Sequence, residues 1–219
     1  RRVNPDMPLH RKPPCPPAAV AGVILAAGRG RRMTMRIGGR TGAPKQLLPF
    51  RGAPLISHVV HHARASQLEP VCLVLGHRAA EVQAQVELSG VEVVVNADYA
   101  DGQAGSLIAG LNSVASRCTA VMFLLGDQPL ISAALMDRLI EAHRQSQAAI
   151  TLPTFEGRRG NPVIVAASRF TELRQLTGDT GARVLFDAHA AEIQAVAVHD
   201  PAVLLDVDTP GDYADLLER

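Results

Sequence analysis

A dense run of positive charge follows two glycines near the start of the chain. The apolar segment "VILAAG" at residues 23–28 leads directly into residues 29–45, which contain no acidic residue. The basic residues of that run are Arg29, Arg31, Arg32, Arg36, Arg40 and Lys45. Small residues let backbone N–H groups approach a ligand, and guanidinium groups pair with phosphate oxygens. The segment therefore predicts a triphosphate-binding loop, with a solvated basic loop as the alternative.

Two common phosphate-binding motifs do not fit this segment. A dinucleotide-binding fold needs G-x-G-x-x-G between a strand and a helix. Here Gly28 and Gly30 are followed by Met33 where the third glycine belongs, which argues against an NAD-binding oxidoreductase. The Walker A pattern, G-x-x-x-x-G-K-[ST], is not matched either.

Lysine is rare in this chain. Of its 22 Lys and Arg residues only Lys12 and Lys45 are lysines, and Lys12 lies in the Pro-rich segment before the first apolar run. In so arginine-rich a composition, a single lysine indicates a position where a compact ammonium group is preferred. The alternative is a solvated lysine without a specific role.

Aspartates follow two apolar runs. Asp127 comes directly after "AVMFLLG", and a carboxylate at the end of a buried strand is costly without a partner. Mg²⁺, which binds through one or two carboxylates plus substrate phosphates, is a suitable partner. Asp206 and Asp208 are two residues apart, so in an extended chain they point the same way and either could face Asp127. For each of these aspartates the alternative is a helix cap or a turn residue, and Thr209-Pro210 after Asp208 resembles a helix start.

A glycine-rich turn, "DGQAGSL" at residues 101–107, leads into a predicted helix. Its small residues would let a planar base or a phosphate approach the backbone. The alternative is an ordinary helix start capped by Ser106.

Short apolar runs alternate with amphipathic segments along most of the chain. The predicted strands are 21–26, 71–75, 91–95, 120–125, 149–153, 162–166, 193–198 and 203–207, and the predicted helices are 54–66, 79–87, 106–116, 133–145, 182–189 and 211–217. Several strands are apolar at successive positions, as expected when a mainly parallel sheet is covered on both faces. The pattern predicts an α/β doubly wound domain with a hairpin-like insertion around "EGRRGN". In such sheets, ligands bind beyond the carboxyl ends of the strands.

The amino-acid composition argues against several classes of function. The chain has 219 residues, 47% of them apolar, and a formal net charge of +1, which argues against general binding to nucleic acid or to a membrane. Its longest apolar runs are too short to span a bilayer. The three cysteines form no metal or disulfide pattern, so a cytoplasmic location is expected. Residues 1–19 are predicted to be a Pro-rich irregular tail, and residues 20–219 the folded domain.

Together these motifs resemble those of the MobA-like nucleotidyltransferases, and most closely the molybdenum cofactor cytidylyltransferase branch. The resemblance covers nearly the whole chain from residue 20 to residue 217. The matching segments are "LAAGRGRRM", "PKQLLPFRG", "VLGHRAAEV", "NADYADGQAGSL", "LLGDQP", "GNPV", "GDTGAR" and "DVDTPGDY". The resemblance implies a Rossmann-like nucleotidyltransferase fold with a mainly parallel sheet and helices on both faces.

The resemblance also implies roles for individual residues. Those against the nucleotide would be Leu25, Ala26, Ala27 and Gly28, and those near the base and ribose would be Asn96, Gly102 and Ser106. Arg32 and Lys45 would bind the phosphates, and Lys45 would also stabilise charge in the transition state. Asp127 and Asp208 would bind Mg²⁺, which makes Arg32, Lys45 and Asp127 the expected catalytic residues. "GNPV" and "GDTGAR" would border the acceptor pocket.

The implied reaction is the Mg²⁺-dependent transfer of CMP from CTP to the phosphate of molybdenum-bearing molybdopterin. Ala27 favours CTP, since the guanylyl relatives usually have "LAGG" where this chain has "LAAG". A molybdenum hydroxylase or its maturation factor would be the protein partner. The alternatives are transfer to a sugar, polyol or phospholactate phosphate, transfer from GTP, and a non-catalytic chaperone that inserts the cofactor. The segment from Met33 to Lys45 is longer than the family pattern, and "GQAGSL" replaces the family's "GMSxSL"-like turn.

Overall fold

The computed structural model describes residues 19–30, 32–33, 36–37, 40–41 and 44–219, with backbone only at 36–37 and 40–41. The predicted tail at residues 1–19 lies outside the described residues except for Ala19, which is buried. Most of the long segment between Met33 and Lys45 also lies outside them. Two short strands of that segment form an antiparallel hairpin.

The described residues form twelve strands and seven α-helices. The strands are β1 (Val20–Ala26), β2 (Arg36–Ile37), β3 (Arg40–Thr41), β4 (Pro49–Phe50), β5 (Ala53–Pro54), β6 (Val71–Leu75), β7 (Glu92–Val95), β8 (Ala120–Leu125), β9 (Ile150–Phe155), β10 (Arg158–Arg159), β11 (Val163–Ala166) and β12 (Ile193–Ala197). The helices are α1 (Leu55–Ala65), α2 (Ala79–Gln85), α3 (Gln103–Val114), α4 (Ala133–Ser146), α5 (Phe170–Leu173), α6 (Leu185–Ala188) and α7 (Pro210–Leu217).

Eight of these strands form one sheet, in the order β10-β9-β11-β8-β1-β6-β7, with β12 paired to β9. The pairs β1/β6, β1/β8, β6/β7 and β9/β12 are parallel. The pairs β8/β11, β9/β11 and β9/β10 are antiparallel. The predicted mainly parallel sheet is confirmed, and the antiparallel pairing of β9 with β11 confirms the hairpin-like insertion.

The central strands bury both faces. On β1, Val20, Ile24 and Ala26 pack on one side while Ala21 and Val23 pack on the other. β6 and β8 alternate in the same way. Helices α1, α2 and α4 contribute to the first side, and α3, α5 and α6 to the second. This explains the successive apolar residues in the strands and confirms that helices cover both faces.

The predicted strand at 203–207 is wrong. Pro201–Leu204 form a 3₁₀ turn instead, because the carboxylate of Asp200 caps its first turn and proline suits a helix start. Val203 and Val207 are buried, so the apolar pattern correctly indicates burial although the segment is not a strand. The predicted helix at 182–189 is likewise divided into a 3₁₀ turn, Ala182–Val184, and the short α6.

A third apolar cluster joins the residues around Lys45 to the C-terminal part of the chain. Met33, Leu48 and Phe50 pack there against Val207 and Tyr213. The Tyr213 hydroxyl also donates a hydrogen bond to the carbonyl of Pro49, at 2.5 Å. The segment that contains Lys45 is therefore held beside the segment that contains Asp208. In the described part of the chain, no helix is both long and apolar enough to cross a bilayer.

Helix α3 packs on the sheet through a glycine. A Cβ atom at Gly110 would lie 2.4 Å from Cγ1 of Val23 and 2.8 Å from Cγ2 of Val74. Alanine improves helix propensity by about 1 kcal/mol, whereas overpacking a buried contact costs about 1–3 kcal/mol. We therefore expect Gly110→Ala to lower the free energy of unfolding by about 1–2 kcal/mol, as measured by urea denaturation.

The matched control is Gly105→Ala in the same helix, where the nearest atom to the new Cβ is Nδ2 of Asn96 at 3.4 Å. We expect no loss of stability there. Equal effects of the two substitutions would contradict the packing argument.

Candidate active site

A large cleft opens at the carboxyl ends of β1 and β8, where the fold predicts ligand binding. Its volume is about 960 Å³. The lining residues are 25–30, 32, 45–46, 99–103, 106–107, 123, 125–127, 161, 163, 179–184, 206 and 208. Loops from both halves of the sheet therefore share one cavity.

Three charged segments meet inside the cleft. The ammonium Nζ of Lys45 lies 2.5 Å from Oδ2 of Asp127 and 2.8 Å from Oδ1 of Asp208. The guanidinium of Arg32 lies 2.9 Å from Oδ2 of Asp208. The structure thus brings together four of the residues expected to act on phosphates and metal. The solvated alternative for Lys45 is wrong, because its side chain is only 10% exposed and paired twice.

Two opposing effects act on the pKa of Lys45. Burial alone would lower it, since a low dielectric disfavours the ammonium form. The charges of Asp127 and Asp208 and their hydrogen bonds outweigh burial, so the pKa is raised above its usual value. The ion pairs therefore favour the ammonium form of Lys45.

Lys45 is held by its neighbour Gln46. The Gln46 side chain is buried, and its Nε2 donates to the carbonyls of Ala26 at 2.9 Å and Gly28 at 3.4 Å. These bonds join the segment of Lys45 to the glycine-rich loop. Our sequence reasoning assigned Gln46 no role. The one sequence feature that could have indicated its role is a polar residue at the start of the otherwise apolar segment "QLLPF".

Asp127 is positioned by close backbone contacts. The N–H of Gly126 donates to the carbonyl of Leu25 at 3.0 Å. A Cβ at Gly126 would lie 2.8 Å from Cβ of Ala26 and 2.9 Å from Cδ1 of Ile56, so β8 can approach β1 here only with glycine. One residue later, the carbonyl of Asp127 accepts a hydrogen bond from the N–H of Val207 at 3.2 Å. That bond brings the "DVD" segment beside Asp127.

Asp208 is free to face the cleft because other residues cap α7. The hydroxyl of Thr209 accepts from the N–H of Asp212, and the Asp212 carboxylate accepts from the N–H of Thr209 at 2.7 Å. This reciprocal capping box satisfies the helix start. The alternative interpretation of Asp208 as a helix cap is therefore wrong, while the predicted helix start at Thr209-Pro210 is confirmed.

The two carboxylates fit a divalent cation. Oδ2 of Asp127 and Oδ1 of Asp208 both contact the ammonium of Lys45, and Oδ1 of Asp127 is buried without a hydrogen-bond partner. Among the residues that the structure describes, no group of three or more His, Cys, Asp and Glu has a metal-binding arrangement. Two carboxylates supplemented by substrate phosphates are the usual Mg²⁺ set, so the donors suit that ion. Asp206 also lines the cleft, where burial and the charges of Asp127 and Asp208 raise its pKa.

The expected nucleotide-contacting residues Leu25, Ala26, Ala27 and Gly28 all line the cleft. One aromatic residue, Tyr99, also lines the cleft. Tyr99 lies so close to Gly76 that a Cβ there would be 2.5 Å from the Tyr99 Cβ, and the guanidinium of Arg29 lies 5.4 Å from the centre of the Tyr99 ring. Sequence reasoning missed Tyr99, although it is one of only two tyrosines. Arg31 and the side chains of Arg36 and Arg40 lie outside what the structure describes.

The turn at residues 101–107 differs from the expected helix start. Helix α3 begins at Gln103 after Gly102, so Ser106 is a buried residue within the helix and the alternative of a cap at Ser106 is wrong. Nδ2 of Asn96 donates to the Ser106 hydroxyl at 3.0 Å. Gly102 and Ser106 line the cleft, whereas Asn96 lies outside the lining residues and supports Ser106. Their contacts with a base remain a prediction.

Gly102 joins the two halves of the cleft. Its φ is +118°, and a Cβ there would lie 2.2 Å from the carbonyl oxygen of Gly178. That oxygen accepts a hydrogen bond from the N–H of Ala104 at 3.1 Å. The "GDTGAR" segment expected to border the acceptor is thereby seated on the start of α3. Asn161 of "GNPV" also lines the cleft.

The fold and the site together define an α/β protein of the Rossmann-like nucleotidyltransferase class. The chain belongs to the MobA-like NTP transferase domain family, whose model matches residues 22–198. This confirms the family expected from the sequence motifs.

Three similar proteins show the range of the relatives. Nicotine blue oxidoreductase of Paenarthrobacter nicotinovorans is 32% identical over 196 residues, covering 87% of this chain and 92% of that protein. The crystal structure of Rv0371c from Mycobacterium tuberculosis H37Rv is 34% identical with a TM-score of 0.82, covering 93% of this chain and all of that one. A complex of Rv0371c with manganese is 32% identical with a TM-score of 0.77, covering 92% and 99% of the two chains.

The Gly102 contact predicts a large stability effect. In Gly102→Ala, a strained backbone angle and a clash with the Gly178 carbonyl act together, so we expect the free energy of unfolding to fall by about 2–5 kcal/mol. Gly157→Ala is the control, because Gly157 also has a positive φ, +75°, but has open space around it. It should lose only about 1–2 kcal/mol. Urea denaturation of both variants measures the difference, and equal losses would mean that the Gly178 contact contributes nothing.

Proposed function

We propose that the protein catalyses the Mg²⁺-dependent transfer of CMP from CTP to the terminal phosphate of molybdenum-bearing molybdopterin. A phosphate oxygen of the acceptor attacks the α-phosphorus of CTP, and the bond from that phosphorus to the β-phosphate bridge breaks. Pyrophosphate leaves, and a cytosine dinucleotide form of the cofactor results. The observation that carries the proposal is the pairing of Lys45 with Asp127 and Asp208 in the cleft of a MobA-like domain.

The charged residues supply what nucleotidyl transfer needs. This chemistry depends mainly on positioning the phosphates and stabilising their charge. Lys45 and Arg32 are cations at the edge of the glycine-rich loop, and they bind and orient the triphosphate. Asp127 and Asp208 would hold the Mg²⁺, which when bound neutralises phosphate charge. The attacking phosphate is already anionic near neutral pH, so the reaction needs no general base.

The volume of the cleft and the segments that line its two sides support the binding of two substrates. A volume of about 960 Å³ is at the upper end for small-molecule sites, so it has room for a nucleotide and a second compound. The nucleotide lies against residues 25–28 in this proposal, and the acceptor lies between "GNPV" and "GDTGAR". The choice of CTP rests on Ala27, which replaces the first glycine of the guanylyl pattern "LAGG".

The cellular context follows from the substrates and is part of the same proposal. The cofactor product would pass to a molybdenum hydroxylase or its maturation factor. Cys72 and Cys118 are not joined in a disulfide bond, in keeping with the expected cytoplasmic location.

A redox activity is the second candidate function. It is favoured by one observation, the relative named nicotine blue oxidoreductase. The missing third glycine excludes the dinucleotide fingerprint of residues 28–33, but it does not exclude a reductant bound elsewhere in the cleft. Bleaching of nicotine blue with NADH or NADPH would demonstrate this activity, and it would leave the carboxylate–lysine network without a role in transfer.

A substrate panel tests the proposed transfer. Pyrophosphate release is measured with CTP, GTP and ATP, each against molybdopterin cofactor and against sugar, polyol and phospholactate phosphates. We expect release with CTP and the molybdopterin cofactor at a rate at least about tenfold above every other pair, which is the discrimination that a small change in a pocket supplies. Release with a different acceptor would support the alternative transferases. Cofactor binding without pyrophosphate in any pair would support the non-catalytic chaperone.

Asp127→Asn tests the carboxylate within that reaction. The amide has the same shape but cannot neutralise the cations of the site, so we expect kcat to fall by roughly 100-fold or more. Asp137→Asn on α4 removes a carboxylate that accepts a hydrogen bond from the Gln67 N–H and does not line the cleft, and it should leave kcat unchanged. Wild-type pyrophosphate release by Asp127→Asn would refute the role of Asp127.

A further inference from the structure

Lys45 is paired with the same two carboxylates that are expected to bind the divalent cation. Its ammonium lies 2.5 Å from Asp127 and 2.8 Å from Asp208. Those carboxylates are also the donors that fit a divalent cation, which requires oxygens at about 2.0–2.1 Å for Mg²⁺. An ammonium group and a divalent cation cannot share the same oxygens at these distances without strong repulsion.

We propose that Lys45 and the divalent cation exchange at the Asp127–Asp208 pair, so that the site accepts a metal–triphosphate complex as a unit and binds the free metal weakly. The proposal rests on the transferase function above and specifies the form in which its substrate binds. Lys45 acts in it as an internal competitor of the metal.

The charges of the site support the exchange. Lys45 and Arg32 balance Asp127 and Asp208, so these four paired side chains are together neutral, and Asp206 is a third carboxyl group that lines the cleft. Adding a divalent cation alone would leave two positive charges in a partly buried site, which is unfavourable in a low dielectric. A triphosphate brings several negative charges with the metal. It therefore compensates both the metal and the released ammonium.

The released ammonium has a near destination. A Cβ at Gly30 would lie 3.2 Å from the Cβ of Lys45, so the stem of Lys45 rests directly on the glycine-rich loop. Gln46 fixes the backbone next to Lys45 through the carbonyls of Ala26 and Gly28. Rotation of the side chain alone can thus move the ammonium from the carboxylates to the loop where phosphates are expected.

Thermodynamic linkage determines whether each binding affinity must rise or fall when Lys45 is replaced. If Lys45 competes with the metal, then removing its charge must strengthen binding of the metal alone. The metal and the triphosphate must also strengthen each other's binding by the same factor, and this coupling must shrink without Lys45. A lysine that only binds phosphate predicts neither effect.

The experiment is calorimetric titration of Mn²⁺ into the full chain in the absence of nucleotide. We expect Lys45→Met to bind Mn²⁺ at least about tenfold more tightly than wild type, within the usual range of coupling between sites. Asp127→Asn should bind it more weakly than wild type. Arg158→Met, which removes an exposed positive charge from β10, should match wild type, because a remote charge is screened by salt.

A second titration uses pyrophosphate as the probe, so that it does not depend on the identity of the base. In wild type, the apparent affinity for pyrophosphate should rise at least about tenfold with Mn²⁺, after the solution complex of the two is included in the cycle. In Lys45→Met this rise should be smaller. The wild-type titration tests the coupling between metal and pyrophosphate without any substitution. Lys45→Gln serves as a second neutral variant if Lys45→Met does not fold.

The outcomes separate the two proposals. Equal or weaker Mn²⁺ binding by both neutral Lys45 variants, together with weakened binding by Asp127→Asn, overturns the exchange and leaves the metal site intact. A wild-type pyrophosphate affinity that Mn²⁺ does not change also overturns it. Mn²⁺ binding that is unchanged in Asp127→Asn overturns the proposed metal site itself, and the exchange with it.

Discussion

The pairing of one ammonium with two carboxylates is the interaction on which this site depends. Lys45 is 82 residues from Asp127 and 163 residues from Asp208 in sequence, yet all three meet at the same edge of the sheet. Each charge is partly buried and would be costly alone. The glycine-rich loop, the end of β8 and the segment before α7 are therefore held together by mutual charge compensation, supported by the apolar cluster beneath them.

Close backbone contacts make that meeting possible. Gly126 and Gly76 have no room for a side chain, because Ala26 and Tyr99 occupy the space. Gly102 similarly accepts the carbonyl of Gly178, which ties the acceptor side of the cleft to the start of α3. The small residues of the motifs thus serve two purposes, since some leave the backbone open to a ligand and others let neighbouring loops touch.

The family in which this chain lies includes proteins whose names describe different chemistry. A fold does not by itself define a reaction, so the chemistry has to be argued from the residues of the site. Two carboxylates, a lysine and an arginine around an open glycine-rich loop are suited to phosphate and divalent metal. This network therefore favours nucleotidyl transfer.

The sequence by itself determined the sheet, its two covered faces and most of the charged site residues. The reason is local: apolar runs report burial, and Arg32, Lys45, Asp127 and Asp208 stand directly beside such runs or in a glycine-rich loop. It did not determine the path of residues 201–208, where buried valines mimic a strand but Asp200 and Pro201 start a 3₁₀ turn. Nor did it reveal Gln46 or Tyr99.

Only the tertiary structure decided which of the alternative roles each residue takes. Asp208 faces Lys45 because Thr209 and Asp212 cap the helix instead, and Ser106 is a buried acceptor because α3 begins three residues earlier. The partner of Asp208 is Lys45, 163 residues away in sequence, and the start of α3 is seated against the carbonyl of Gly178. Spacing along the chain can place a charged group at the edge of a sheet, but its partner is chosen by packing across that edge.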